Sequence, residues 1–239
     1  MVQSLKKWVD DFTLFERCLI SINIIMSITL MIVYQDYGVI GAIGFVASVT
    51  NTICVVLVAK RRISNFIWGI IGVSTYTVVA FWHGNTGEWT IHAFWYLPMN
   101  IVGWYLWAKN KNSDTVAADV ISKKLTVKQS VIVYSLTAIG TLIFAYIISL
   151  EGLHLFIYNQ TFEHGFSKYL TDSFSSILAV TAMILMAKRY REQWVLWIII
   201  NITNLFLWGI FTFDPMMILM WSCFLVNSVY GWLKWQKAN

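Results

Sequence analysis

The chain has 239 residues, of which 58% are hydrophobic and only 12% charged, with a formal net charge of +5 and a mean hydropathy of +0.65. A soluble domain carries about 25% charged residues, and here the apolar residues come in long blocks, so the composition is that of a polytopic membrane protein with no room for a large soluble domain. The pI near 9.1 does not call for nucleic acid as a partner, because the basic residues flank apolar runs, where membrane topology accounts for them.

In chain order, the opening "MVQSLKKWVDDFTLFERCLI" places acidic residues between its lysines and the first apolar block and lacks a small-residue cleavage site. The first span is therefore expected to stay. A span needs about 20 mainly apolar residues, and eight segments qualify: 17–34, 38–58, 64–83, 89–108, 129–150, 171–187, 194–212 and 215–233. Short turns such as "QDYG", "HGNTGE" and "FDP" make neighbouring spans antiparallel. The loop 109–129 is the one sizeable connection on its side and reads as a surface helix. The loop 151–170, with an "NQT" sequon at 159–161, is the long one on the other side. Cys18, Cys54 and Cys223 lie in or beside apolar runs without metal-ligand or disulfide spacing, and read as small buried hydrophobes.

Numbering the loops alternately sorts the charges. One side collects Lys6, Lys7 and Arg17, then Lys60 to Arg62, then Lys109, Lys111, Lys123, Lys124 and Lys128, then Lys188, Arg189 and Arg191, then Lys234 and Lys237. The other side has only Lys168. Basic residues mark the cytoplasmic side, so both termini are expected in the cytoplasm.

Two stretches repeat. "VAKRR" at 58–62 answers "MAKRY" at 186–190, and "NIVGWYLWAK" at 100–109 answers "NSVYGWLKWQK" at 227–237, with a shared offset of 128 positions. Each unit holds three spans, and one span links them, so the units run in the same direction. The expected plan is 3+1+3, preceded by one additional span, with segments 1–37, 38–108, 109–150 and 151–239. Parallel repeats with a midplane site between them recur among transporters. Trp104, Trp107, Trp232 and Trp235, at the unit ends, are expected to anchor helices at the interface.

No Asp, Glu, Lys or Arg occupies the central turns of any span, and there is no phosphate-binding glycine loop. Ion coupling and ATP hydrolysis are thus without a visible residue, and passive transport is the simplest fit. No catalytic or metal-binding cluster of His, Cys and carboxylates lies at depth, which argues against a membrane-embedded enzyme.

The midplane is polar but neutral. Trp197, Asn201, Asn204 and Trp208 are spaced four, three and four, on one helical face, with Trp194 one turn earlier. Indole faces stack on an aromatic ring and attract a positive one. An asparagine matches a carboxamide with two hydrogen bonds. Asn51, Trp68, Tyr76, Asn100 and Asn227 complete the candidate binding set, and His92 and Tyr96 share a face with Asn100 as an outer gate. Asparagines in membrane helices also serve as interhelical glue, most plainly at Asn51 and Asn227.

The 3+1+3 plan, the WxxW of "WVLW" at 194–197, "NLFLWG" and the "GWLKW" end resemble the bacterial PnuC family of nicotinamide riboside transporters, over roughly residues 38–237. The resemblance implies a SWEET-like architecture and facilitated diffusion through the inner membrane. It also implies a homotrimer without cofactor, and one-way uptake driven by a cytoplasmic kinase that phosphorylates the product. It makes Trp194 and Trp197 substrate contacts. Relatives of this architecture carry thiamine, riboflavin or sugars, which remain the alternatives.

Overall fold

The computed structural model describes residues 11–111, 120–150 and 166–236. The sequon at 159–161, the centre of the expected surface helix at 109–129, and the basic residues Lys6, Lys7 and Lys237 lie outside those ranges. Helices α1 (Leu14–Val33), α2 (Val39–Ala59), α3 (Asn65–Trp82), α4 (Thr86–Ile91), α5 (Leu97–Lys109), α6 (Val127–Ile148), α7 (Phe166–Ala187), α8 (Gln193–Phe206) and α9 (Pro215–Gln236) follow in order. Among the described residues, seven helical stretches are long and apolar enough to cross a bilayer, α8 together with the wider turn Leu207–Phe211 that continues it. The chain is thus a multi-pass membrane protein, all-helical apart from one isolated bridge between Lys123 and Tyr190 among the described residues.

The expected span 89–108 has a different form. Helix α4 passes into a π-turn, His92–Tyr96, and then into α5, with no break from Thr86 to Lys109. Pro98 has no N–H to return to Phe94 and its ring crowds the preceding turn. The widened turn absorbs that demand. The helix also begins earlier than expected, so Thr86, Gly87 and Glu88 of the "HGNTGE" turn are a buried first turn.

Two helix starts are set by capping boxes. Thr13 accepts from Glu16 N while Glu16 accepts from Thr13 N, and Thr126 and Gln129 repeat the exchange on α6. Helices α2, α3, α4/α5, α7, α8 and α9 pack successively into a closed ring, with α9 returning to α2. Helix α6 lies outside against α7, and α1 lies outside across α2 and α9. Asn23 of α1 donates to Ser48 of α2 at 2.9 Å. Lys60 and Lys234 both reach Glu16, at 3.2 and 2.9 Å, so the basic ends of α2 and α9 meet the start of α1.

Positions 128 apart do the same work. Arg61 and Arg189 both adopt a left-handed backbone, φ 58° and 67°, just past α2 and α7. Arg61 N bonds Val58 O and Arg62 N bonds Leu57 O; Arg189 N bonds Met186 O and Tyr190 N bonds Leu185 O. These close both helices in one manner. A methyl at Gly103 would meet the Phe66 ring at 2.5 Å, and one at Gly231 would meet the Trp194 ring at 2.5 Å. Lipid gives helices no hydrophobic reason to associate, so close approach at small residues supplies the packing.

The interfacial role expected for two unit-end tryptophans is corrected. Trp107 and Trp235 are fully buried. Trp107 Nε1 donates to Met186 O and Trp235 Nε1 to Ala59 O, both at 3.2 Å. These bonds tie α5 to α7 and α9 to α2. Trp104 is exposed, and Trp232 half-buried. Cys18 is also exposed rather than buried, on the outer face of α1, while Cys54 is half-buried and Cys223 buried.

Candidate functional site

A cavity of about 90 Å³ opens inside the helical ring, and every helix of the ring lines it. Helix α2 supplies Asn51, Cys54, Val55 and Val58; α3 supplies Gly69 and Val73; the π-turn and α5 supply His92, Tyr96 and Asn100. From the other unit come Met183 and Met186 of α7, Trp194, Trp197 and Asn201 of α8, and Trp221, Phe224 and Ser228 of α9. No Asp, Glu, Lys or Arg is among the lining residues.

The three asparagines are poised alike. Asn51 Nδ2 donates to Ala47 O at 2.9 Å, and Asn100 Nδ2 donates to Tyr96 O at 2.8 Å. A carbonyl only accepts, so in both residues one N–H of the amide is used, and the second N–H and the oxygen remain. Asn201 Nδ2 donates to Ser228 Oγ at 2.8 Å, and its buried Oδ1 has no partner among the described residues. Glycines make room for the first two: a methyl at Gly72 would lie 2.4 Å from Asn51 Oδ1, and one at Gly69 would lie 2.4 Å from Asn100 Oδ1. The lining therefore carries amides that can both accept from and donate to a ligand.

Aromatic rings close both ends. Below, Trp194 meets Trp235 at 5.9 Å, Trp235 meets Trp107 at 6.4 Å, and Trp107 meets Phe66 at 5.3 Å. Above, Tyr96 meets Trp197 at 6.3 Å and His92 at 4.6 Å, and His92 packs on Tyr76 at 4.3 Å.

Of the candidate set, the cavity thus brings together Asn51, Asn100, Trp194, Trp197 and Asn201. Asn204, Trp208 and Tyr76 instead form a buried layer behind His92. Asn204 Nδ2 donates to Ser175 Oγ and to Ile200 O, and Trp208 Nε1 donates to the Tyr76 hydroxyl at 2.9 Å. Asn227 donates to Val55 O at 2.9 Å, tying α9 to α2. Trp68 is half-buried against the smaller apolar cluster of Ile53, Val56 and Leu57. The i, i+3, i+4 spacing put the asparagines of α8 on one face, but each turn of that face meets a different neighbour.

Sequence reasoning missed Trp221, Phe224 and Ser228 as lining residues. Ser228 lies 128 positions after Asn100, so the repeat itself was the available signal. It also missed Glu88, read as part of an external turn. Glu88 is 2% exposed and accepts from the Tyr76 hydroxyl and from Ser175 Oγ, both at 3.0 Å. Asp172, also buried, accepts from Gly87 N at 2.8 Å. Among the described residues no group of three or more His, Cys, Asp or Glu is arranged to hold a metal.

The sequence of the family described as "Nicotinamide mononucleotide transporter" matches residues 41–237. The chain is 36% identical over 195 residues to the nicotinamide riboside transporter PnuC of Haemophilus influenzae, covering 82% of this chain and 79% of that one. It is 34% identical over 199 residues to the protein of the same name from Neisseria mucosa, covering 80% and 71%. A solved structure described as the crystal structure of the vitamin B3 transporter PnuC matches with a TM-score of 0.78 at 30% identity, over 95% of this chain and 92% of the other.

Proposed function

The chain belongs to the nicotinamide mononucleotide transporter family, a family of membrane transporters and not of enzymes, and from that premise we propose that it carries nicotinamide riboside across the bilayer. The observation that carries the choice of riboside over mononucleotide is the cavity lining. Indoles and amides suit a pyridinium ring with a carboxamide and a ribose, whereas a phosphate would enter a low-dielectric space without a Lys or Arg to meet it.

In this proposal Trp194 and Trp197 contact the ring, and Asn201, Asn100 and Asn51 accept from the carboxamide and the sugar. Asn204, Trp208 and Tyr76 act from behind the lining. Asn227 and Trp68 serve packing. Transport is by facilitated diffusion, made one-way by a kinase that phosphorylates the product inside the cell. The neutral lining supports this, because intramembrane ionisable residues are what mark proton relays and ion pathways.

We read Thr86–Lys109 as an eighth span, its unbroken helical path supporting the count. The matched contacts 128 positions apart support the 3+1+3 SWEET-like plan, with the segments 1–37, 38–108, 109–150 and 151–239. The gathering of Lys60, Arg61, Arg189 and Lys234 at one end supports cytoplasmic termini in a bacterial inner membrane. A homotrimer is taken from the family resemblance.

The test is uptake of labelled riboside into proteoliposomes without any ion gradient. Equilibration down the riboside gradient is expected. Uptake that requires a sodium or proton gradient would overturn the uniport reading. Thermal stabilisation by thiamine, riboflavin or glucose, but not by the riboside, would overturn the substrate.

A further inference from the structure

Three cations meet at one end of the molecule without a counter-charge. Lys188 and Arg189 follow α7, and Lys123 stands beside them because the segment before α6 pairs with that turn. Lys123 N donates to Arg189 O at 2.7 Å, and Arg191 N donates to Lys123 O at 2.9 Å. Together with Asn110 and Tyr190 the three line a cavity of about 210 Å³, whose remaining walls are Leu106 of α5 and Ala187 of α7. No Asp or Glu is among the lining residues. Arg189 Nη2 donates to Asn110 Oδ1 at 2.9 Å, and burial draws its guanidinium down from the ordinary arginine pKa. Glu192, close by in sequence, pairs with Arg191 at 3.8 Å instead.

The matched positions 128 earlier show what satisfies such a turn. Lys60 meets Asp11 at 3.4 Å and Glu16 at 3.2 Å, and Arg62 meets Asp11 at 2.8 Å, so the chain leading into α1 supplies the acids. Among the described residues no carboxylate pairs with Lys123, Lys188 or Arg189. Like charges gathered at one cavity repel until an anion joins them. A planar guanidinium and two ammonium groups suit a phosphate, which takes several charge-assisted hydrogen bonds at once. Tyr190 adds a phenol donor. The depth fits as well. Trp104 and Tyr105, exposed on α5 beside Leu106, are side chains of the membrane–water interface. Basic pockets between helices at that level take lipid headgroups.

From these unpaired cations and the cavity they line, we propose that the end of α7 holds a phosphate group, supplied by the headgroup of an anionic phospholipid or by free phosphate at the same place. The site shares no residue with the central cavity and stands apart from the riboside reading. A phosphate there does for α7 what Asp11 and Glu16 do for α2: it neutralises the Ala-Lys-Arg turn at the helix end.

The experiment follows thermal unfolding of the purified full chain in a neutral detergent. It is titrated with phosphatidylglycerol, with zwitterionic phosphatidylcholine and with inorganic phosphate. Phosphatidylglycerol is expected to stabilise wild type and phosphatidylcholine is not. The double variant Lys123→Gln/Lys188→Gln should need about thirtyfold more phosphatidylglycerol for the same shift, two surface charges having been removed. Lys124→Gln/Lys128→Gln removes equal charge from exposed positions outside the cavity, and should change that dose less than about threefold. Stabilisation by inorganic phosphate with the same dependence on Lys123 and Lys188 assigns the site to free phosphate; dependence seen with the lipid alone assigns it to a headgroup. An equal response of the two double variants would overturn the proposal. So would a wild type that neither phosphatidylglycerol, beyond phosphatidylcholine, nor inorganic phosphate stabilises, a result that needs no variant to fold.

Discussion

Helices α3 and α8, the second helices of the two proposed three-helix units, start alike and then diverge. Phe66 and Trp194, 128 positions apart, each press a ring against a glycine of their own unit's last helix. One turn on, the same correspondence sets Gly69 against Trp197 and Val73 against Asn201. Helix α3 thus presents a glycine and a valine to the cavity, with Asn100 against Gly69, while α8 presents an indole and an amide. Matched positions with unlike side chains give a site two different ends. That suits a ligand with a ring at one end and a sugar at the other better than it suits a symmetric one.

Substitutions at matched positions break this comparison in graded ways. The largest effect is expected at Asn201→Leu, which removes an amide at the cavity wall and leaves Ser228 unpaired: riboside affinity by calorimetry should fall on the order of a hundredfold, about 3 kcal/mol. Val73→Leu, its match in α3, should cost under about tenfold, since it changes volume alone. If the two variants bind alike, the asymmetry carries no recognition.

Next come the shared packing positions. Gly103→Ala and Gly231→Ala each drive a methyl into a ring, and both should destabilise the purified protein by about 1–3 kcal/mol in thermal or denaturant unfolding. Unequal losses would show that the two halves do not pack alike. Gly69→Ala meets Asn100 Oδ1 at 2.4 Å instead, so its loss, about tenfold, should appear in binding while unfolding is little changed. The smallest effects belong to Trp107→Phe and Trp235→Phe. Each deletes one donor to a carbonyl of the other unit, and each should cost about 1 kcal/mol of stability.

Much of the frame was legible in the sequence because bilayer thickness dictates span length and charge follows topology. The offset of 128 recovered the matched helix ends at Arg61 and Arg189 before any geometry was available. The site was legible in part. Asn51, Asn100, Trp194, Trp197 and Asn201, polar or flat side chains in the middle of apolar helices, line one cavity. Asn204 and Trp208 share the stripe but meet Ser175 and Tyr76, a difference set by neighbouring helices and not by spacing on their own. Glu88 was hidden for another reason. Composition placed it in a Gly-Asn-Thr-Gly turn, and only the early start of α4 against α7 carries it inside. Trp107 and Trp235 matched the interfacial pattern, yet the ring closure buries them.

The account rests on a neutral cavity that takes the riboside and refuses its phosphorylated form. The most direct measurement is calorimetric titration of the purified wild-type protein with nicotinamide riboside and, separately, with nicotinamide mononucleotide. The riboside should bind at least about a hundredfold more tightly, because the phosphate would be desolvated without a cationic partner. Mononucleotide binding as tight as that of the riboside would contradict it.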